Sequence, residues 1–266
     1  MEKQKILKQY FGHSAFRAGQ ETLIDGILQG RDVLGIMPTG GGKSLCYQIP
    51  AMMLPGAALV ISPLISLMKD QVSALRETGV DAVFLNSSLD ATEYYDACAK
   101  IRSGRCRLIY IAPERLLYDG FLELIQSISI SLVAVDEAHC LSQWGQDFRP
   151  SYLKIAEFIK ILPYRPVLAA FTATATQQVR QDIVRLLELE HPVKVITGFD
   201  RPNLYFEVQR PKRKLPALLG MVQELWNKSG IVYCATRASV ERVCEQLVRH
   251  GIPATRYHAG LSDAER

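Results

Sequence analysis

Apolar residues recur along most of the chain in two alternating rhythms, and that alternation predicts an architecture. Spacings of three and four put Ile6, Leu7, Tyr10 and Phe11 on one face of a helix over residues 3–11, and Leu23, Ile24, Ile27 and Leu28 on one face over residues 20–29. Short unbroken apolar runs then predict strands at 32–37, 57–61, 82–85, 107–111, 132–135, 167–171 and 193–197. Helical spacing fills the intervals at 43–53, 66–78, 91–102, 116–125 and 177–189. The runs are rich in Val and Ile and too evenly apolar for a half-exposed sheet. The expectation is an α/β fold: a parallel sheet sandwiched by helices.

The remainder changes character. Leu204 to Gln209, Gly230 to Tyr233 and Ala254 to Tyr257 read as three more strands, separated by helices over Lys214 to Trp226 and Arg237 to His250. Ser262 and Glu265 form an S-x-x-E capping box, which announces a further helix. Residues 1–203 are therefore expected to form one domain and 204–266 the N-terminal part of a second, incomplete one. An unfinished sheet there predicts an exposed edge and a thin core.

Composition adds limits. Of 266 residues, 48% are hydrophobic, enough for a sizeable core, and the formal net charge of +4 permits a nucleic-acid partner without demanding one. The six cysteines are scattered, with no C-x-x-C pair, so neither a zinc site nor a disulfide framework is signalled. The N-terminus leads into an amphipathic segment and no stretch approaches a membrane span, so a cytoplasmic location without a membrane partner is expected.

The densest chemistry lies in Met37-Pro38-Thr39-Gly40-Gly41-Gly42-Lys43-Ser44, between a buried strand and a helix. Three glycines let backbone N–H groups converge on phosphate oxygens, and the helix that starts near Lys43 adds its positive dipole end. Lys43 would reach the β and γ phosphates and Ser44 would hold Mg²⁺ through its hydroxyl. The strict pattern G-x-x-x-x-G-K-[ST] asks for glycine where this chain has Met37, and an ordinary glycine-rich turn is the alternative.

A second site candidate closes the run Ser131 to His139. Asp136 and Glu137 sit at the carboxyl tip of a buried strand, where open α/β sheets place active sites. Asp136 would bind Mg²⁺ through water, and Glu137 would orient and deprotonate an attacking water. Solvated acids capping a strand are the alternative.

Other segments are open to two readings. Phe16, Arg17 and Gln20 could stack on and hydrogen-bond an adenine, or form a plain loop. Trp144, Phe148 and Arg149 crowd a segment of little periodicity, which suits bases stacked on rings with a cation on phosphate, or else a core-packed loop. Thr172 and Thr174 bring small hydroxyls to the same sheet edge as Asp136, while Thr176 reads as a helix N-cap.

In this order, Phe16 to Gln20, Met37 to Ser44, Asp136-Glu-Ala-His139, the Trp144 to Arg149 loop and Thr172-Ala-Thr174 resemble the RecQ family of DNA helicases across essentially the whole chain. That family's phosphate loop looks like M-P-T-G-x-G-K-S, so Met37 is what the resemblance implies. It implies RecA-like domains and ATP with Mg²⁺ as cofactors. Arg17 and Gln20 would recognise adenine, with Met37, Thr39, Gly40, Gly41, Gly42, Lys43 and Ser44 around the phosphates and Ser44 and Asp136 at the metal. The catalytic group would be Lys43, Asp136, Glu137 and His139. Single-stranded or forked DNA would meet Ser66, Lys69, Gln71, Arg115, Trp144, Phe148, Arg149, Arg201 and Asn203.

For a longer parent the resemblance implies an ATP-dependent 3′ to 5′ DNA helicase of recombination and repair, acting as a monomer. Family members carry an arginine finger in the rest of the second lobe, worth about 10³ to 10⁵ in kcat in phosphoryl transfer generally. The chain itself is therefore expected to bind ATP and, weakly, DNA with little turnover. A non-catalytic nucleotide-binding stub and a fragment of a DEAH-type RNA helicase are the alternatives.

Overall fold

The computed structural model describes residues 2–198, 204–262 and 265. They fall into two units, Met1–Asp200 and Arg201–Arg266.

The first unit is built on seven strands: β1 (Val33–Ile36), β2 (Ala57–Ile61), β3 (Ala82–Leu85), β4 (Leu108–Ile111), β5 (Ile130–Val135), β6 (Val167–Thr172) and β7 (Val193–Ile196). They form one sheet in the order β3-β4-β2-β5-β6-β1-β7, and all its pairings are parallel. The helices are α1 (Lys3–Phe11), α2 (Gln20–Leu28), α3 (Lys43–Met53), α4 (Ile65–Glu77), α5 (Ala91–Arg102), α6 (Asp119–Gln126), α7 (Lys154–Ile161) and α8 (Gln177–Leu186).

The two-residue period of the strands divides the core into two layers. Leu34, Ile36, Leu59, Ile61, Val133 and Val135 pack with Ile101, Phe121, Phe158 and Ile183, from α5 to α8. Val33, Ala58, Val60, Leu132, Ala134 and Phe171 pack on the other face with Leu23, Tyr47, Met68 and Val72, from α2, α3 and α4. Helix α1 adds an outer layer, with Ile6 and Leu7 against Ile24 and Ile49.

The amino-terminal edge of the sheet is fastened by one buried carboxylate. Asp32, 2% exposed, accepts hydrogen bonds from Arg165 (2.6 and 3.2 Å) and from the backbone N–H groups of Leu168 (2.9 Å) and Glu190 (2.7 Å). It thereby gathers the starts of β1, β6 and β7 around a paired, hydrogen-bonded charge, the form in which burial of an ion is tolerated.

Three local expectations need correction. The helix expected over 116–125 begins at Asp119, because Pro113 opens a separate 3-10 turn, Pro113–Arg115, ahead of it. Helix α7 was not anticipated, although Ile155, Phe158 and Ile159 carry its spacing; it follows another proline-initiated turn, Pro150–Leu153.

The third correction concerns the second unit. It holds α9 (Lys214–Glu224) and α10 (Arg237–Arg249) as expected, but residues 204–209, 230–233 and 254–257 form no strands. Tyr205 and Tyr233 are 85% and 92% exposed there. A strand exists only as a paired ladder, and among the described residues of this unit no neighbour pairs with these segments. The capping box does form: Glu265 N–H reaches Ser262 Oγ at 3.4 Å and Ser262 N–H reaches Glu265 Oε2 at 3.2 Å. Among the described residues, no helix is long and apolar enough to cross a membrane.

Candidate functional site

Strand β1 delivers the glycine loop at the carboxyl edge of the sheet. Met37 continues the strand by donating its N–H to Thr172 O (3.1 Å), and its side chain is 1% exposed in the core with Tyr47 and Phe171. Position 37 has ordinary backbone, so glycine is not required there; a core side chain is.

The three glycines answer different demands. Gly40 takes a left-handed conformation (φ 77°) with open space around it. Gly41 has an ordinary φ, but a Cβ would lie 2.8 Å from Pro38 O. Gly42 needs both forms of freedom, with φ 80° and a Cβ that would collide with Gln20 Nε2.

Helix α3 starts immediately after, so its unpaired N–H groups and positive dipole end face the loop. Lys43 Nζ donates to Met37 O at 3.2 Å. Ser44 Oγ accepts a hydrogen bond from Gln71 Nε2 at 3.1 Å.

Arg17 and Gln20 reach the same loop. The Arg17 guanidinium donates to Gly40 O. Gln20, 1% exposed, accepts the Arg17 N–H on Oε1 (2.7 Å) and donates from Nε2 to Gly42 O (3.0 Å). Both ends of its amide thus hold the loop.

Two strands away, β5 ends in the carboxylates. Asp136 still belongs to the sheet through its N–H to Ile61 O (2.9 Å), while Glu137 turns the chain sharply with φ 47°. Burial, with the neighbouring Glu137 charge, pushes the Asp136 carboxyl up to about 6. A hydrogen bond from His139 holds Glu137 below its ordinary value. His139 is raised to about 9 by Cys140 Sγ (3.9 Å from Nε2) and by the Glu137 carboxylate (3.2 Å from Nδ1). At its shorter distance and full charge, the carboxylate is the stronger partner. Tyr152 supports this tip from below, its hydroxyl donating to Asp136 O at 2.9 Å.

Strand β6 lies between β1 and β5, so Thr172 stands between the glycine loop and the carboxylates. Its hydroxyl meets His139 Nδ1 at 2.9 Å.

The loop after His139 is anchored at its base and open at its tip. Ser142 Oγ donates to Asp182 Oδ2 on α8 (2.7 Å) and accepts the Trp144 N–H (3.2 Å). Trp144 is 74% exposed. Phe148 and Arg149 are half-buried, and Arg149 donates to Asp147 (2.8 and 3.0 Å) and to Pro63 O (3.1 Å). Arg149 therefore ties this loop to the segment that leads into α4.

On α4, Ser66 and Lys69 are exposed, while Gln71 turns inward. Arg115 lies over the Tyr94 ring at 5.6 Å. Arg201 and Asn203 lie outside the described residues.

Gln48 and Tyr110 join this cluster although no sequence motif marks them. Gln48 Nε2 donates to Gln71 Oε1 (2.8 Å) and to Tyr110 OH (3.1 Å). The available signal was a polar group inside two otherwise apolar runs, Cys46 to Ala51 and Leu108 to Ile111.

A parallel sheet with a glycine loop at the end of one strand, a lysine and a hydroxyl opening the next helix, and two carboxylates at a nearby strand tip defines the α/β phosphate-loop class. Within it, residues 17–183 match the DEAD/DEAH box helicase family, and the chain belongs to that family. It is 47% identical over 264 residues to the ATP-dependent DNA helicase RecQ of Bacillus subtilis strain 168, and 47% identical over 261 residues to that of Pasteurella multocida strain Pm70. These alignments take in 99% and 98% of the chain but 45% and 41% of the relatives, so the chain spans less than half their length. The resemblance to RecQ helicases is thus shown. The crystal structure of the DUF1998 helicase MrfA bound to DNA and AMPPNP superposes with a TM-score of 0.73 at 17% identity, covering 94% of this chain and 38% of that one, a likeness of fold.

Proposed function

We propose that the chain is the ATP-driven motor portion of a RecQ-type DNA helicase, a reading carried by the convergence of the glycine loop, Asp136-Glu137 and the Arg149 loop on one sheet edge. Lys43 and the loop N–H groups would hold the triphosphate, with Arg17 and Gln20 beside the base. To reach an adenine, Gln20 would exchange its hydrogen bonds to the loop for bonds to the base.

The donor set fits Mg²⁺. Among the described residues no group of three His, Cys, Asp or Glu could hold a metal, whereas one carboxylate and one hydroxyl completed by phosphate and water are what this hard, hydrated cation accepts. Asp136 and Ser44 would hold it, and it would neutralise charge on the phosphates.

Glu137, ionised and hydrogen-bonded to His139, would orient a water for in-line attack and take its proton. Exposed Trp144, with Ser66, Lys69 and Arg149, would meet single-stranded or forked DNA by stacking and phosphate contact. Because Arg149 is bonded to Pro63 O and its loop begins at His139, strand contact there would be felt beside the carboxylates.

For this chain alone, less than half the length of its relatives, we propose ATP and weak DNA binding with little turnover. Phosphate release is to be measured with no strand, with single-stranded DNA and with RNA of the same sequence. Low rates that rise modestly with DNA support the reading. Vigorous DNA-stimulated hydrolysis overturns the proposed dependence on the longer protein, and preference for RNA overturns the choice of strand.

A further inference from the structure

We infer that Gln71 is a positioning residue of the nucleotide site, turning the Ser44 hydroxyl toward the cation, rather than a nucleic-acid contact. This rests on the reading of Ser44 as a Mg²⁺ ligand and assigns that site a residue on a different helix.

The periodicity of α4 separates Gln71 from the exposed face. Met68, Gln71, Val72 and Leu75 follow the i, i+3, i+4, i+7 rule, and the three apolar members are 0%, 1% and 3% exposed. Ser66, Lys69 and Asp70 lie on the solvent side. The Gln71 side chain consequently runs inward, under the start of α3.

Its amide is hydrogen-bonded at both ends. Oε1 accepts Gln48 Nε2 at 2.8 Å and Tyr110 OH at 3.3 Å, which leaves Nε2 to donate to Ser44 Oγ at 3.1 Å. With Gln48 as placed, turning the Gln71 amide over by itself would set its NH₂ group against that of Gln48, donor against donor. Gln48 is 5% and Tyr110 1% exposed, so the reference points are fixed by the core of α3 and β4.

A serine hydroxyl has one hydrogen and two lone pairs. With the Gln71 N–H occupying one lone pair, the other is free to face a cation and the hydrogen is directed away from it. Outer-shell partners that orient a ligand in this way typically matter about 10- to 100-fold in metal affinity.

The test titrates a fluorescent ADP analogue into the full chain in Mg²⁺ and in EDTA, and separately a single-stranded oligonucleotide in nucleotide-free buffer. For Gln71→Met, which keeps length and volume, we expect the Mg²⁺ enhancement of nucleotide affinity to fall about tenfold. Affinity in EDTA and affinity for the oligonucleotide should stay within about twofold of wild type. Lys69→Ala supplies the comparison for a lost strand contact. If Gln71→Met is unstable, Gln48→Leu and Tyr110→Phe added to Gln71→Met remove both stranded partners and the measurement is repeated.

An unchanged Mg²⁺ enhancement overturns the inference, as does an equal fall with and without Mg²⁺, which marks a merely structural residue. Oligonucleotide binding reduced as in Lys69→Ala overturns it in favour of strand contact. Wild type that binds nucleotide without any Mg²⁺ dependence overturns this inference alone. Wild type that binds no nucleotide overturns the functional reading as well.

Discussion

The Thr172 hydroxyl accepts the Nδ1 hydrogen of His139 across 2.9 Å, joining the tips of β6 and β5. The direction follows from what else Thr172 does: its only hydrogen goes to Thr174 O at 3.1 Å, so toward His139 it can only accept. The proton is thereby fixed on Nδ1, where Glu137 Oε2 also lies 3.2 Å away.

This pairing gives the fold a pH signature. The folded His139 value, about 9, stands above its ordinary 6.5, so its contribution is complete below 6.5 and is lost as pH climbs through 9. Glu137 is depressed from 4.5, so its contribution is present above 4.5 and lost as pH falls through the lowered value. Between about pH 7 and about pH 9.5, wild type should lose of order 1–2 kcal/mol that His139→Asn does not lose. Thermal melting of both proteins at the two pH values checks it, the wild-type Tm falling by roughly 2–6 °C more.

The glycine loop offers a graded comparison. Gly40→Ala meets only the left-handed backbone cost of about 1 kcal/mol, because space is open there. Gly42→Ala adds a clash with Gln20 Nε2 and must displace an amide that holds the loop. The expected cost is roughly 2–4 kcal/mol, with nucleotide affinity lost in Gly42→Ala and reduced only severalfold in Gly40→Ala. Melting curves and nucleotide titration decide whether the order holds.

The base of the exposed loop has one removable anchor. Ser142→Ala takes a donor from buried Asp182 and an acceptor from Trp144 N–H, at a cost of about 1–3 kcal/mol. In a Trp226→Phe background the remaining emission reports on Trp144. Its anisotropy should fall in Ser142→Ala, and unchanged anisotropy would show that the anchor does not restrain the ring.

Ser62 offers the opposite experiment. Its hydroxyl, at the end of β2, is buried without a hydrogen-bond partner among the described residues. Removing an unsatisfied group should be neutral or stabilising, so Ser62→Ala is expected to keep or raise the Tm by a few degrees. A drop of similar size would reveal a partner for that oxygen.

Much of the first unit was legible because parallel strands buried on both faces appear as continuous apolar runs; Ala57–Ile61 and Ala82–Leu85 fall where the pattern put them. Strand order was not legible, since nothing local says that β6 lies between β1 and β5, and with it the His139–Thr172 contact stayed hidden. Pro113 displaced the helix start that periodicity alone set at Leu116, and the short helix behind Pro150 had no expected counterpart. The second unit's strands failed for a different reason: propensity describes a residue, whereas a strand belongs to a pair. The inward course of Gln71 was legible too, in its spacing from Met68 and Val72 on α4.

Asp32 carries a consequence for the order of assembly. Its partners lie 133, 136 and 158 positions further along the chain. During synthesis β1 emerges early, yet the last of the bonds that fasten its start cannot exist until Glu190 has left the ribosome. Until then the carboxylate stays hydrated and the strand unclamped, so closure of this end is a late event. Nascent chains halted shortly before Glu190 should remain open to protease at β1, and those released a few dozen residues later should not.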